Sequence, residues 1–384
     1  MMLDGTLSEE EAIIKSSFEE FCRKNVVPQY GKWMEERRFP DGLMKQLSSL
    51  VLGATVPEDP AKKPDEVMLG ILSESMGRFE LPIPAFLTMH FAKLLPLIQD
   101  EGVRNSYLKK YRSGDLVICG AFTEPGQGSD SASIATSASH DGLGYTLNGE
   151  KSFVSSPGIA NTHIISARTE DLPWNERHKG ISLFIADAGS RGIESYEMDN
   201  MASIFRGDFG GLRLNDVSVP ETHLVGDENR GFQILMNILS IQRVHVGLYA
   251  IGLAESAMEE AVEYAKVRKT FGQPISRYQA ISFRIADDWS RLEGARMLAY
   301  RALSMQDHGL NNVAESAAVK GYGCEVAFDA VNHALQTMGA AGYVKTSDME
   351  RKFRASRGFL IGDGTPEIQK LIISRKLFGR DSAP

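Results

Sequence analysis

The spacing of hydrophobic residues changes twice along this chain, and these changes constrain the fold more than any other feature. Apolar positions first recur at the helical period of 3.6 residues, then alternate with a period of two from about Leu116, and return to the helical period after Gly226. The sequence therefore predicts an α+β protein with an N-terminal all-α domain over 1–115, a middle β-barrel or sandwich domain over 116–226 and a C-terminal four-helix-bundle domain over 227–384.

Local start and stop signals place several elements within these domains. Ser8 followed by Glu11 is a capping box that begins the first helix, and Pro28 is expected to end it. Asn148-Gly149 is typical of a hairpin turn between two strands. The C-terminal part reads as long helices, among them one near 229–268 and one near 311–340.

Composition restricts the classes of function. The 384 residues carry a net charge of −8 with no basic stripe, which argues against nucleic-acid binding. Three scattered cysteines form neither a disulfide framework nor a metal motif, and indicate a reducing compartment. No signal peptide or membrane-length apolar run stands out, so we expect a soluble cytoplasmic protein without a metal site or a membrane partner.

Ala121 to Ser156 combines two polar loops with short alternating strands. In the first loop, Thr123 to Asp130, a proline fixes one turn and two glycines allow close approach of the backbone. The second loop follows the sequence LNGEK, where alternation places Phe153 and Ser155 on one face. Either loop alone would be read as a surface turn, but together they suit a flat polar ring.

A TEPxxGSD loop, a DGxxYxLNGxK segment and an aromatic residue two positions before a hydroxyl together resemble the middle domain of the acyl-CoA dehydrogenase family. The resemblance implies FAD as cofactor. It also implies that Ser155 hydrogen-bonds the flavin near N5, that Phe153 covers the ring and that Thr123 and Ser129 make further flavin contacts. No dinucleotide fingerprint, phosphate loop or zinc motif competes with this interpretation.

Two segments of the helical part resemble the same family. The sequence RKTFGQP followed by a glutamine resembles the segment that reaches the FAD of a neighbouring subunit, and QTMGAAG resembles the turn that holds the adenosine half, with Ala340 where glycine is usual. The resemblance thus adds these cofactor contacts: Arg268, Thr270, Phe271, Gln279, Gln336, Gly339, Ala340 and Thr365. It also implies a homo-oligomer, a dimer of dimers.

The segment GFLIGDGTPEIQ resembles the YEGTxxIQ motif, whose glutamate removes the α-proton of an acyl thioester. Asp363 falls on that position and is our predicted catalytic base, although it is one methylene shorter, by roughly 1.3 Å. Some members place the base at the position of Gln242, which cannot serve as a base. Arg243, Gly362 and Gly364 are predicted to line the substrate site. Without the resemblance, the segment is a turn that begins a helix.

These observations predict an FAD-dependent acyl-thioester dehydrogenase with an electron-transfer flavoprotein as acceptor. Because residues 201–217 depart from the family's usual MGxRxS pattern, an acyl carrier protein could replace coenzyme A in the substrate. A flavin oxidase or monooxygenase on the same fold is a second alternative, and a non-catalytic flavin-binding subunit is a third.

Overall fold

The computed structural model describes residues 7–59 and 62–379, which form helices and a curled sheet and confirm the predicted α+β class. The α-helices are α1 Glu9–Phe21, α2 Tyr30–Glu36, α3 Leu43–Leu47, α4 Gly53–Thr55, α5 Glu66–Arg78, α6 Ile83–Phe91, α7 Glu101–Arg112, α8 Gly231–Val267, α9 Gln279–Asp307, α10 Val313–Ala318, α11 Cys324–Met338, α12 Ala340–Tyr343, α13 Asp348–Gly358 and α14 Pro366–Phe378. The strands are β1 Ile118–Ala121, β2 Ser137–His140, β3 Gly144–Ser155, β4 Thr162–Arg168, β5 Ile181–Asp187, β6 Ile193–Glu197, β7 Phe209–Pro220, β8 Lys269–Thr270 and β9 Gln273–Pro274.

The chain folds into two compact units. The helical unit draws on Met1–Pro28, Asp65–Leu81 and Ser240–Pro384, and the sheet unit on Gln29–Pro64 and Pro82–Leu239. Each unit is thus assembled from segments that are distant in sequence. The three-domain boundaries at residues 115 and 226 stay a prediction.

The sheet unit contains β1 to β7, in the spatial order β1-β4-β2-β3-β7-β6 with β5 also paired to β4. The antiparallel pair of β3 and β7 is the longest, with twelve residues in each strand. Side chains of β3, β5 and β7 that face the interior of the sheet unit, such as Leu147, Phe184 and Leu212, are fully buried in one apolar cluster. The alternating pattern predicted the longer strands, whereas the short polar strands β2 and β6 were not predicted.

The hairpin turn predicted at Asn148-Gly149 is wrong, because β3 runs straight through both residues. The register with β7 shifts between Leu147 and Gly149, and Gly149 has φ +150°. Asn148 exchanges two hydrogen bonds with Asp216, donating to Oδ1 at 3.0 Å and accepting from its backbone N–H at 2.9 Å. The glycine therefore forms a β-bulge instead of reversing the chain.

The helical unit packs its long helices through small residues. Ala254, Ala257 and Ala261 form a buried stripe of α8, and Gly77 of α5 lies directly against the backbone of Tyr249. Small side chains allow helix backbones to approach closely and to pack a dense interior. This unit carries the long helices expected for the C-terminal part of the chain.

Two helix predictions needed correction. The capping box of Ser8 and Glu11 is present, but Pro28 does not end the helical path. Instead α1 passes into a π-helical turn at Cys22–Val26 and a 3-10 turn at Val27–Gln29, and α2 follows at once. The single helix expected near 311–340 is also divided, because a π-helical turn at Val319–Gly323 separates α10 from α11.

The helix α8 is long and apolar enough to cross a membrane when judged by length and composition alone, which the sequence reading had not anticipated. Its most apolar window is 67% buried inside the protein, as is usual for core helices of soluble proteins. This single helix is weak evidence for a membrane span.

Candidate active site

The loop from Thr123 to Asp130 is closed by a pair of backbone hydrogen bonds between Glu124 and Gln127, of 3.2 and 3.0 Å. Gly126 at the turn has φ +87°, a conformation that strongly favours glycine. Thr123 is half-buried and Ser129 is exposed. No described protein atom would lie within 4 Å of a Cβ atom at Gly126 or Gly128, so open space adjoins the loop.

A buried ion pair anchors this loop to the sheet. Lys151 Nζ lies 2.6 Å from Glu124 Oε1, and both side chains are at most 5% exposed. The Glu124 carboxylate also accepts hydrogen bonds from the backbone N–H groups of Ala135 and Thr136, at 2.6 and 3.0 Å. Burial alone would raise the pKa of Glu124, but Lys151 and these hydrogen bonds together hold it below its usual range. Burial lowers the pKa of Lys151 to about 8, although Glu124 opposes the shift.

A distortion of β3 exposes the side chain of Phe153 to solvent. Its backbone has φ +53°, it lies where the register shifts between Lys151 and Val154, and its side chain is 57% exposed. Ser155, two residues on, is half-buried. The backbone N–H of Ser152 donates to the carbonyl of Thr123 at 2.9 Å, so the structure brings the two predicted loops together.

A third loop, which contains Arg177, contacts the first loop, and the sequence did not predict this contact. Arg177 donates two hydrogen bonds to the carboxylate of Asp130, of 2.9 and 3.0 Å, and one to Ser133 at 3.0 Å. Its guanidinium also stacks on Trp174 at 3.6 Å from the ring centroid. The contact joins residues 47 apart, so no local pattern could have revealed it.

In the helical unit, Asp363 lies in the turn between α13 and α14. Asp363 and Gly364 have φ of +55° and +94°, two successive left-handed residues. A Cβ atom at Gly364 would lie 2.6 Å from Gln369 Nε2 and would require that side-chain amide to shift, and the positive φ favours glycine as well. Thr365 is the N-cap of α14 but makes no side-chain capping hydrogen bond, and Pro366 occupies the first turn.

The Asp363 carboxyl group lies close to polar side chains of other helices. Gln242 of α8 donates a hydrogen bond from Nε2 to Asp363 Oδ2 at 3.3 Å. Asp363 is half-buried, and burial raises the pKa of its carboxyl group, while Lys320, Arg243 and the bond from Gln242 oppose that rise. The buried Nε of Arg243 and Oε1 of Gln242 have no hydrogen-bond partner within the described chain.

Lys320 and Gln369 hold the backbone of the same turn, and the sequence analysis missed both. Lys320, 1% exposed, donates to the carbonyls of Phe359 at 2.6 Å and Gly364 at 3.1 Å. Gln369 Nε2 donates to the carbonyls of Asp363 at 3.3 Å and Gly364 at 2.9 Å. The only local signal was a lysine between apolar residues of a helix, AAVKGYG, which predicts a buried ammonium but not its acceptors.

The other predicted cofactor residues of the helical unit lie on its surface. The exposed ones are Arg268, Thr270, Phe271, Gln279, Gln336, Gly339 and Ala340. The segment after Arg268 is a two-stranded hairpin of β8 and β9 with Phe271 at its tip, 93% exposed and at φ +48°. It is therefore no simple helix end.

An open groove of about 640 Å³ lies beside this hairpin in the same unit and is lined in part by Gln279, Phe283 and His333. His333 is one helical turn before Gln336 on α11, so two of the predicted segments meet near this groove. Asp288, another lining residue, accepts from His333 at 2.9 Å. Burial raises the pKa of Asp288, and His333 opposes the rise.

Three family models match successive parts of the chain. They describe the acyl-CoA dehydrogenase N-terminal domain over residues 8–115, the middle domain over 119–217 and the C-terminal domain over 229–378. The chain therefore belongs to the acyl-CoA dehydrogenase family, whose members are FAD-dependent oxidoreductases acting on CH–CH donors. The predicted family, enzyme class and cofactor are thereby confirmed.

Individual relatives match along almost their whole length. The chain is 33% identical to an acyl-CoA dehydrogenase of Bacillus subtilis, over 97% of this chain and 99% of that protein. It is 31% identical to the caffeyl-CoA reductase-Etf complex subunit CarC of Acetobacterium woodii, over 96% and 98%. The structure of butyryl-CoA dehydrogenase from Megasphaera elsdenii superposes with a TM-score of 0.89 at 27% identity, covering 97% of this chain and 98% of that one.

The residues present fit FAD by three observations made within the separate units. Phe153 holds an exposed ring in a left-handed backbone conformation, as a residue that covers a flat cofactor would. Open space adjoins the glycines of the first loop. Phe271 is almost fully exposed at the tip of its hairpin, so its ring is accessible to a ligand. Within the described chain, no group of acidic, histidine or cysteine side chains could hold a metal ion.

Proposed function

We propose that this chain catalyses the α,β-dehydrogenation of an acyl-CoA thioester, with Asp363 as the base that removes the α-proton. The observation that carries the proposal is the environment of Asp363, a half-buried carboxyl group whose pKa burial raises and which accepts a hydrogen bond from Gln242. A carboxylate with a raised pKa is a stronger base, and the transfer of a proton from carbon demands such a base.

In this proposal, Asp363 receives the α-proton of the thioester. The α-proton of a thioester is weakly acidic until the carbonyl oxygen is polarised, so the base must be held close to it. When bound, FAD supplies the acceptor for the hydride that leaves the β-carbon. Asp363 takes the proton on a carboxylate oxygen, and the nearby Lys320 and Arg243 stabilise the carboxylate form before the transfer.

The surroundings of Gly362 leave space for an acyl group beside Asp363. The nearest atom to a Cβ placed there would be the carbonyl oxygen of Gly358 at 3.8 Å, an ordinary contact, and Gly362 itself is exposed. We therefore infer that a substituted acyl group can be accommodated near the reacting carbons. Arg243 and Gly364 complete the proposed substrate set, although the positive φ of Gly364 is itself a sufficient reason for glycine there.

The cofactor contacts are proposed residue by residue. Thr123, Ser129, Phe153 and Ser155 would hold the flavin part. The exposed residues of the helical unit, from Arg268 to Ala340, would complete the site of a second copy of the chain, which supports a homo-oligomer. Thr365 is also proposed to contact FAD. A cytoplasmic location remains a prediction.

The physiological direction and the redox partner are proposed from the relatives. The A. woodii relative is named as a reductase subunit of an Etf complex. By analogy, an electron-transfer flavoprotein is the proposed redox partner of this chain, and reduction of an enoyl thioester is a second candidate for the net reaction, because one active site catalyses both directions.

The test is flavin reduction by acyl-CoA thioesters without oxygen, followed by the loss of visible absorbance. Asp363→Asn keeps the shape of the side chain but cannot act as a base, so we expect the rate to fall at least about 100-fold while FAD stays bound. Asp41→Asn is the matched control, because that carboxylate pairs with Arg38 on the surface, at 2.6 Å. An unchanged rate in Asp363→Asn would rule out the proposed base. Bleaching by an acyl carrier protein thioester alone, or turnover that consumes oxygen, would establish one of the alternatives instead.

A further inference from the structure

The turn that carries Asp363 is held from inside the helical unit by a buried lysine with no carboxylate in contact. Lys320 is 1% exposed, and its ammonium donates to the carbonyl oxygens of Phe359 and Gly364. These carbonyls lie on either side of Asp363, so a single side chain spans the turn between α13 and α14. Both of these acceptors are backbone carbonyl oxygens and not carboxylates of the described residues.

This arrangement is unusual for a lysine. A buried cation loses its hydration, and a nearby carboxylate or several acceptors must offset the loss. The carbonyl dipoles of Phe359 and Gly364 offset part of this lost hydration. The Lys320 cation also lowers the pKa of Asp363, which opposes the effect of burial on that carboxyl group. The cation and the proposed base are therefore coupled by charge without a direct salt bridge.

The local backbone is built to place Lys320 there. Residues Val319–Gly323 form a π-helical turn between α10 and α11, a distortion often found at functional positions. The next residue, Gly321, approaches the side chain of Gln369, since a Cβ atom there would lie 3.2 Å from Gln369 Cβ. Gln369 in turn holds the carbonyls of Asp363 and Gly364. Lys320 and Gln369 thus share one acceptor, the carbonyl of Gly364, and each also holds a second residue of the turn.

We propose that Lys320 is a positioning residue for Asp363, because it fixes the left-handed turn through the carbonyl oxygens of Phe359 and Gly364. The charge of Lys320 also favours the ionised form of the Asp363 carboxyl group. The contribution to catalysis rests on the proposed function of Asp363. The effects on the conformation and ionisation of the turn do not, and can be measured separately.

The groups around Asp363 allow its ionisation to be followed without interference. Arg243 and Gln242 face it from α8, and Lys320 faces it from the π-helical turn. From α11, Cys324 also senses the charge of Asp363, but burial raises the pKa of that thiol to about 11. Burial lowers the pKa of Arg243, and Asp363 opposes that change. Asp363 is therefore the group among these expected to ionise between acidic and neutral pH.

The experiment compares three variants of the full-length, FAD-loaded protein. Lys320→Met removes both the donors and the charge. Gln369→Leu removes the other donor to the turn but leaves the charge. Lys352→Met is the matched control, because Lys352 is also buried but pairs with Glu260 at 3.1 Å on another part of the unit. Thermal unfolding of each variant measures the general effect of the substitution on stability.

Two readouts separate position from charge. The first is the pH dependence of flavin reduction by an acyl-CoA thioester. The second is the ionisation of Asp363 itself, measured by infrared spectroscopy with isotope-labelled aspartate, using Asp363→Asn to identify its band. The second readout is independent of catalysis.

We expect Lys320→Met to move the ionisation of Asp363 and the pH profile to higher pH, because removal of a nearby cation disfavours the carboxylate. The maximal rate should also fall about 10- to 100-fold, as expected when a catalytic group is displaced. Gln369→Leu should lower the rate without moving the profile, and Lys320→Arg should restore much of the ionisation behaviour. The proposal is overturned if Lys320→Met and Lys352→Met behave alike, or if the infrared band of Asp363 titrates as in the unsubstituted protein. If Asp363→Asn keeps full activity while Lys320→Met still moves the band, the proposed base is wrong but the coupling stands.

Discussion

The side-chain amide of Gln242 lies 3.3 Å from the carboxylate of Asp363, although the two residues are 121 positions apart in the chain. Gln242 lies within α8 and Asp363 in the turn before α14, so this hydrogen bond joins two different elements. A glutamate at position 242 would place a carboxylate within a hydrogen bond of the atom proposed to accept the proton. The structure thus offers two backbone positions for one base.

The first prediction follows from this geometry. Asp363→Ala should abolish most flavin reduction by a thioester, and adding Gln242→Glu to it should restore a measurable part, about 10-fold or more above the single variant, because a carboxylate returns to the same region. Rapid mixing without oxygen measures both rates. Gln242→Leu in the Asp363→Ala background is the control for repacking. Equal rates in the two double variants would show that position 242 does not reach the substrate.

The second prediction concerns stability and pH. Burial raises the pKa of Asp363 above its ordinary value of 3.8 in the folded protein, whereas the unfolded chain keeps the ordinary value. As pH rises through the interval between these two values, the folded state retains a proton that the unfolded chain has lost, so its stability falls. At neutral pH, the full loss of folding stability caused by the raised pKa of Asp363 is present. Asp363→Asn should therefore raise the melting temperature at neutral pH, and the gain should vanish as pH falls toward the ordinary range.

Differential scanning calorimetry of the FAD-free protein at a series of pH values would measure this gain. Asp41→Asn is again the control, since it loses a surface ion pair and should gain nothing. A gain that stays constant from acidic to neutral pH would mean that the carboxyl group has an ordinary pKa in the folded protein.

Much of the fold could be predicted, because the spacing of hydrophobic residues along the chain shows which faces of helices and strands are buried. The helix predicted near 229–268 is observed as Gly231–Val267, and strands β1 to β7 all lie within the part predicted to be β, residues 116–226. The failures share one cause, namely that local signals have more than one structural outcome. Asn148-Gly149 suits a turn, but the partner strand β7 continues beside it, and Asp216 bonds to Asn148 across the bulge. The break at Val319–Gly323 contains two glycines but no proline, and glycines are also tolerated inside helices.

The site was predictable only where motifs are contiguous. The segments containing Phe153 and Asp363 could be read from short patterns that resemble a known family. Their supports could not, because Lys151 meets Glu124 across 27 residues and Lys320 meets Gly364 across 44. A buried lysine gives no local sign of its acceptor. Knowledge of the tertiary structure was needed to identify both.

The third prediction addresses the pair of Glu124 and Lys151 in the sheet unit. Lys151→Met should destabilise the protein by about 3–5 kcal/mol, because Glu124 would remain buried without its cation. Combining it with Glu124→Gln should recover much of that loss, although the carboxylate's bonds to the N–H groups of Ala135 and Thr136 would be weakened. Chemical denaturation of the two single variants and the double variant gives the coupling free energy. Additive losses in the double variant would show that the two charges do not stabilise each other.

The last prediction concerns Gly128, where the loop from Thr123 to Asp130 adjoins open space. No described atom would lie within 4 Å of a Cβ at this position, so Gly128→Ala should leave the stability of the FAD-free protein within about 0.5 kcal/mol. Gly149→Ala is the contrasting control, because its Cβ would lie 2.6 Å from Thr136 Oγ1 with φ at +150°, and it should destabilise the FAD-free protein by about 1–3 kcal/mol. If FAD occupies the open space, Gly128→Ala should instead weaken FAD binding about tenfold, since the added methyl group meets the cofactor and not the protein. Fluorescence titration of the FAD-free protein with FAD measures this affinity, and unchanged affinity would show that the cofactor does not approach Gly128.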